Sequence, residues 1–190
     1  AYPPPRREFL EEKIREIMAL QGTHPDESFI QDLIMTSLTL IRDAADRAEL
    51  RLLASALRDF RYSFKTFAPY DERRKVTVFG SARLPPDAPE YRLAWQFGQE
   101  MVRRGYMVIT GAGPGIMEAA QGGAGRENSF GMNIRLPFEQ AANSYIRGDP
   151  KLIQFRYFFS RKLCFVKEAS AIALFPGGFG TMDEGFEALT

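Results

Sequence analysis

Cysteine and histidine are nearly missing from this 190-residue chain, which holds one of each, Cys164 and His24. A single cysteine excludes an internal disulfide framework and any metal site built from several thiolates. Cys164 sits in an apolar, aromatic run, the setting of a buried and inert thiol. His24 precedes Pro25 and Asp26 in a loop-like stretch with no ligand-like partner spaced around it, so no metal is expected. An excess of one charge is lacking too. Twenty-five Lys and Arg against 24 Asp and Glu leave a net charge of +1, so a broad electrostatic footprint for nucleic acid is not expected, although a local basic pocket is compatible with that balance. No run approaches the ~18 apolar residues of a membrane span. The opening "AYPPPRREFLEEK" contains no apolar segment of the kind a secretory signal needs. No membrane partner is expected, and a cytoplasmic, reducing setting is the default. The initial alanine hints at processing or trimming.

What the chain does contain is 45% hydrophobic residues, enough for one sizeable core or for a domain with an appendage. Up to about Lys75 the pattern is helical. Phe9, Leu10, Ile14, Ile17 and Met18 recur at helical spacing. Pro25 and Asp26 open a second such pattern, "RDAADRAEL" marks a break or bend, and a third runs through Leu52, Leu53, Ala56, Leu57 and Phe60 before "FAPYDERRK" ends it. This divides the chain into a helical N-terminal extension, 1–74, and a second domain, 75–190.

From Lys75 the pattern becomes strand, glycine turn, helix. Strands are expected at 75–81, 106–115, 130–137 and 170–178. Helices are expected at 89–105, after Gly115, from about Pro150 to Lys167, and after "PGGFGT". Such alternation implies an α/β fold, a Rossmann-like, doubly wound, mainly parallel sheet with ligands at the carboxyl ends of its strands. The last strand is expected to lie exposed at an edge. Because the sequence stops about two turns into the following helix, its C-terminal part is expected to be missing.

The two glycine turns carry the chemistry. In "ALFPGGFGTMDEGFEAL" (173–189) a buried strand ends in glycines that let a ligand approach the backbone. The next helix then offers unpaired N–H groups and partial positive charge. That combination suits an anion, usually phosphate. Gly177, Gly178, Gly180 and Thr181 fit it. A plainer alternative is a capping box, in which Thr181 caps the helix and Glu184 returns a hydrogen bond. The turn "TGAGPGIMEAA" (110–120) repeats the arrangement one strand away. It lacks the third glycine of the dinucleotide fingerprint, which would fall at Ile116, and the G-K-[ST] of a P-loop. A mononucleotide or sugar phosphate is favoured over NAD, with an ordinary tight turn as the alternative.

Together these residues resemble the LONELY GUY (LOG) family of nucleotide phosphoribohydrolases. "PGGFGTMDE" matches that family's PGG-x-GT-x-x-E motif, "GAGPGIMEAA" resembles its other glycine motif, and "SRK" (160–162) looks like its Arg-Lys pair. The resemblance covers about residues 75–190, and the helical part looks like the extension of longer bacterial members. Many relatives carry the label "lysine decarboxylase", but nothing in the motifs suggests a pyridoxal phosphate site, and no cofactor is expected. The resemblance implies hydrolysis of the N-glycosidic bond of a nucleoside 5'-monophosphate, AMP-like or a cytokinin riboside monophosphate, to free base and ribose 5-phosphate. It makes Arg161 and Glu184 the catalytic pair and gives the 5'-phosphate to Pro176, Gly177, Gly178, Gly180 and Thr181. Gly80, Ser81, Gly111, Gly113 and Gly115 would line the base and ribose, and Lys162 would join the substrate site or stay a solvated neighbour.

The expected helix around Arg161 has one apolar stripe of Leu152, Phe155, Phe159, Leu163 and Val166, and another of Ile153, Tyr157 and Cys164. A helix apolar on two sides is buried on two sides. One side would face the sheet and the other a second subunit, as in the family's dimers, so a homodimer or higher homo-oligomer is expected. Arg161 falls between the stripes, where a guanidinium needs an anion or carboxylate to meet it, unless it is simply exposed. Two other readings remain at this point. One is a non-catalytic nucleotide-binding sensor or scaffold, and the other is a protein whose helical part binds a macromolecule.

Overall fold

A computed structural model describes residues 7–135 and 141–190. The end of the expected third strand, from Leu136, lies outside the described residues. Two compact units emerge, residues 1–54 and 55–190. The second unit begins before the change of pattern at Lys75, because the C-terminal part of the third helix packs on the sheet.

The first unit holds α1 (Arg7–Ala19), α2 (Glu27–Thr39) and the first turns of α3 (Arg47–Phe67). His24 belongs to the entry of α2, where its ring nitrogen accepts the Asp26 N–H at 3.0 Å. The break expected at "RDAADRAEL" separates α2 from α3. Asp46 and Glu49 then form a reciprocal capping box, Asp46 N–H to Glu49 Oε2 and Glu49 N–H to Asp46 Oδ1, each 2.8 Å. Such a pair satisfies two otherwise orphaned donors.

The second unit is a five-stranded parallel sheet of β1 (Lys75–Phe79), β2 (Met107–Thr110), β3 (Ser129–Ile134), β4 (Leu152–Phe155) and β5 (Ala171–Leu174). Their order is β4-β3-β2-β1-β5, and every pairing is parallel. The helices are α4 (Pro89–Arg103), α5 (Ile116–Ala124), α6 (Phe158–Glu168) and α7 (Phe179–Leu189). The α/β, Rossmann-like expectation is therefore met. Alternation along the strands feeds two cores. Val76, Val78 and Val108 pack with Ala94, Ile116 and Ala120 of α4 and α5. Phe79, Met107, Ile109, Phe130 and Met132 pack with Phe67 of α3 and with Cys164 and Phe165 of α6. Cys164 is fully buried and free, and burial raises its thiol's pKa above the ordinary value.

One element differs from the sequence reading. The helix expected from Pro150 to Lys167 is a strand, β4, followed by a shorter helix, α6. Leu152, Ile153 and Phe155 therefore belong to β4, with Ile153 and Phe155 in the sheet's core, and the two long apolar stripes do not exist. The structural reason is that β3 needs a partner, and residues 131–134 pair in register with 152–155. The expected exposed edge is present: β5 pairs with β1 and is the last strand on that side among the described residues, with Leu174 54% exposed. No described helix is long and apolar enough to cross a membrane.

Candidate functional site

From β1 the chain steps outward through β2, β3 and β4, then returns to the other side of β1 as β5. The carboxyl ends of β1 and β5 thus flank the switch point, where open α/β sheets bind ligands. Main-chain hydrogen bonds fasten three turns together there. Phe175 N–H donates to Phe79 O at 2.9 Å, Ser81 N–H to Pro176 O at 3.0 Å, and Ile116 N–H to Ser81 O at 3.0 Å. Gly115, at φ +69°, has no space for a side chain because a Cβ would collide with the Ser81 carbonyl oxygen. A residue there would pry the turns after β1 and β2 apart.

These turns enclose a cleft of about 730 Å³. Its wall includes Gly80 and Ser81 after β1, Gly111 and Gly113 after β2, Gly178, Gly180 and Thr181 after β5, and both Arg161 and Glu184. Nine of the thirteen sequence candidates thus meet in one place. Gly115, Pro176 and Gly177 frame it through their backbones. A Cβ on Gly177 would collide with the Thr181 hydroxyl, so glycine is what lets the turn close onto α7. Lys162 is engaged elsewhere. Its ammonium bridges Asp183 at 2.7 Å and Glu187 at 2.8 Å on α7.

The capping-box alternative does not describe this turn. Helix α7 begins at Phe179 with Gly178 at its N-cap and no side-chain cap hydrogen bond. Thr181 is already inside the helix and is buried against the cleft. The first-turn amides are left without a side-chain acceptor, and the positive end of the helix faces the cavity wall.

Glu184 reaches across to α6 instead. Its Oε1 accepts a hydrogen bond from Arg161 Nη2 at 3.1 Å. Arg161 is 8% exposed, with its guanidinium carbon 5.1 Å from the Phe158 ring centre and 5.6 Å from that of Phe165. Its Nε is buried without a hydrogen-bond partner among the described residues. Burial lowers the pKa of Arg161 while Glu184 opposes it. Burial likewise raises the carboxyl pKa of Glu184 above its ordinary value, against the pull of Arg161. For each group desolvation outweighs the partner's attraction. A carboxyl held in this way, beside a cation in a cavity, can take up a proton or stabilise developing positive charge.

Among the cleft residues that sequence reasoning missed are Arg83, Met117, Asn133 and Phe158. Two of them had a readable signal. Asn133 is a polar residue near the carboxyl end of a buried parallel strand, and Arg83 follows the Gly80-Ser81 turn directly. Arg83 is exposed and makes no ion pair among the described residues, so it adds a positive charge to the wall that Glu184, already paired, does not balance.

Comparison with known proteins finds similar chains. Residues 115–190 match the family model described as "Possible lysine decarboxylase". A probable cytokinin riboside 5'-monophosphate phosphoribohydrolase, LOGL5 of Oryza sativa subsp. japonica, is 30% identical over 122 residues, which cover 62% of this chain and 48% of that protein. The chain therefore spans about half the length of this curated relative. Among solved structures, the structural-genomics target TM1055 has a TM-score of 0.47 at 27% identity, covering 60% of this chain and 68% of its own. The molybdenum cofactor carrier protein of Chlamydomonas reinhardtii has a TM-score of 0.49 at 19% identity, covering 62% and 71%. The matched segment contains Arg161, Glu184 and the whole turn between β5 and α7, and by these matches the chain is similar to LOG-family proteins.

Proposed function

We propose that the chain hydrolyses the N-glycosidic bond of nucleoside 5'-monophosphates, releasing free base and ribose 5-phosphate. The observation that carries this reading is the pairing of buried Arg161 with half-buried Glu184, which lines the same cleft as the uncapped start of α7. Phosphate is the natural ligand of such a helix start, where backbone N–H groups and the helix dipole favour an anion. With the 5'-phosphate on Gly178, Gly180 and Thr181, the ribose lies toward Glu184, which stands about one turn further along α7. Gly80, Ser81, Gly111 and Gly113 form the opposite wall for ribose and base.

Cleavage of the C1'–N bond passes through an oxocarbenium-like sugar. In this reading the Glu184 carboxylate faces that developing charge and accepts a proton from the attacking water. The water oxygen bonds to C1', and the base leaves with the electron pair of the broken bond and takes a proton. Arg161 holds Glu184 in place and opposes the rise in its pKa that burial imposes. General acid–base help of this kind is worth typically ~10²–10⁴-fold.

The protein also acts as a homodimer in this reading. Helix α6 presents Phe159, Leu163 and Val166 to solvent, and α7 presents Met182, Phe186 and Leu189. Apolar residues at helical spacing on adjoining helices suit a self-complementary interface.

The test is incubation of the protein with AMP, GMP, CMP and UMP, a cytokinin riboside monophosphate included, with chromatography of free base. Equal release of base and ribose 5-phosphate from at least one nucleotide supports the reading. Tight nucleotide binding without base release would replace it with a sensor or scaffold.

A further inference from the structure

The turn after β2 is held in an uncommon shape by a residue far along the chain. Ala112 has φ +62°, in the left-handed region that side-chain-bearing residues rarely adopt, and it is completely buried. Its N–H is donated to Thr110 Oγ1 at 2.9 Å. Two successive carbonyls of the turn are then taken by one residue. Asn143 N–H donates to Ala112 O at 2.8 Å, and Asn143 Nδ2 donates to Gly113 O at 2.9 Å.

Asn143 is itself fixed. It is 6% exposed, its Nδ2 also donates to Gln121 Oε1 at 2.7 Å, and its Oδ1 accepts Tyr145 N–H at 3.2 Å. Gln121 Nε2 in turn donates to Phe130 O at 3.1 Å, anchoring the set to β3. The amide has one workable orientation, because both donors face oxygens and its oxygen faces an N–H. A satisfied buried network of this kind is rigid and leaves few alternatives for the groups it holds. The other side of the same turn is cleft wall: Gly111 and Gly113 line it beside Met117 and Arg161.

We propose that Asn143 is a positioning residue for the cleft: by binding the carbonyls of Ala112 and Gly113 it holds the turn in the strained shape that places Gly111 and Gly113 against the substrate. Where activity is concerned, this rests on the phosphoribohydrolase reading. Asparagine is suited to the task and aspartate is not, since a carboxylate would set oxygen against two carbonyl oxygens. The left-handed penalty belongs to Ala112, and glycine does not incur it.

The test compares Asn143→Ala, Ala112→Gly and the two combined. In Asn143→Ala, hydrogen exchange of the amides at 111–117 speeds up while the amides of β1 and β2 keep their rates, as local opening requires. The variant keeps the backbone bond to Ala112 O and loses the side-chain bond to Gly113 O, so its kcat/KM for AMP falls roughly tenfold, as for the one buried hydrogen bond the side chain gives the turn. In the Ala112→Gly background the same change costs about threefold or less, because residue 112 then needs no restraint. A merely structural role would lower the melting temperature without this rescue. Unchanged exchange at 111–117, or an equal loss in both backgrounds, overturns the proposal. If Asn143→Ala does not fold but the combined variant does, strain at residue 112 is the cause and the proposal stands. If neither folds, Asn143 serves the whole domain and the proposal is wrong. Absence of AMP turnover in the unaltered protein would sink the enzymatic reading alone, since the exchange experiment still reports on the clamp.

Discussion

Arg161 Nη2 donates to Glu184 Oε1 at 3.1 Å across the gap between α6 and α7, with side chains only 10% and 19% exposed. The two residues are 23 positions apart in sequence, and the strand that separates them, β5, carries the chain to the far side of β1. The pair is therefore a product of topology, and it ties the helix behind the site to the helix whose start forms the site.

Glu184→Gln separates packing from chemistry. The amide oxygen still accepts from Arg161, so the fold survives. The charge and the proton acceptor are gone, and kcat for base release falls by ~10²–10⁴. Binding of ribose 5-phosphate, held mainly by the turn after β5, changes far less. Calorimetric titration beside a base-release assay measures both, and retained turnover would remove Glu184 from the mechanism.

The pH dependence follows from the direction of the Glu184 shift. Burial raises its pKa, with Arg161 opposing, so the carboxyl binds its proton more tightly folded than unfolded. Its contribution to stability is therefore greatest at acid pH and is lost as pH rises from the ordinary carboxylate value to the raised one. Denaturation curves of the unaltered protein and Glu184→Gln should diverge across that window, the glutamate form losing ground as pH increases. Turnover should rise over the same interval as the carboxylate forms, giving an acid limb above the ordinary carboxylate range.

Much of this arrangement was legible in the sequence, and the failures have physical causes. The turns after β1, β2 and β5 announced themselves through glycines at the ends of their strands, and seven of the candidates they supplied share the cleft. Strand β4 did not. Four residues are too few to display a period of two, and Leu152 and Phe155 happened to continue the spacing of Phe159 and Leu163. Only the register with β3, a partner some twenty residues earlier, makes 152–155 extended. The start of α7 was misplaced because Thr181 and Glu184 have capping-box spacing. The competing bond to Arg161, which draws Glu184 away, comes from another helix and has no local signature.

Gly178→Ala tests the phosphate site without touching the empty fold. Gly178 has φ −89° and ψ −161°, extended backbone open to any residue, and a Cβ there would meet nothing within 4 Å. Its unfolding free energy should be unchanged within about 0.5 kcal/mol, as is typical of neutral surface changes. Affinity for ribose 5-phosphate should nevertheless drop by roughly tenfold or more, since the added methyl would stand where a phosphate approaches the backbone. Equal affinity would move the phosphate elsewhere. Gly177→Ala should lose stability as well, because its Cβ would collide with Thr181.

Light scattering checks the proposed dimer. A doubled mass is expected across micromolar concentrations, and Leu163→Asp, on the exposed face of α6, should halve it without lowering helix content. A monomer throughout would leave the apolar face of α6 and α7 to another partner.

The most direct measurement is a crystal structure of Glu184→Gln soaked with AMP. The account predicts the 5'-phosphate within hydrogen-bond distance of the backbone N–H groups of Gly178 and Gly180, with C1' of the ribose facing the side chain at position 184. A phosphate bound away from the start of α7, or a ribose turned from residue 184 toward solvent, would contradict it.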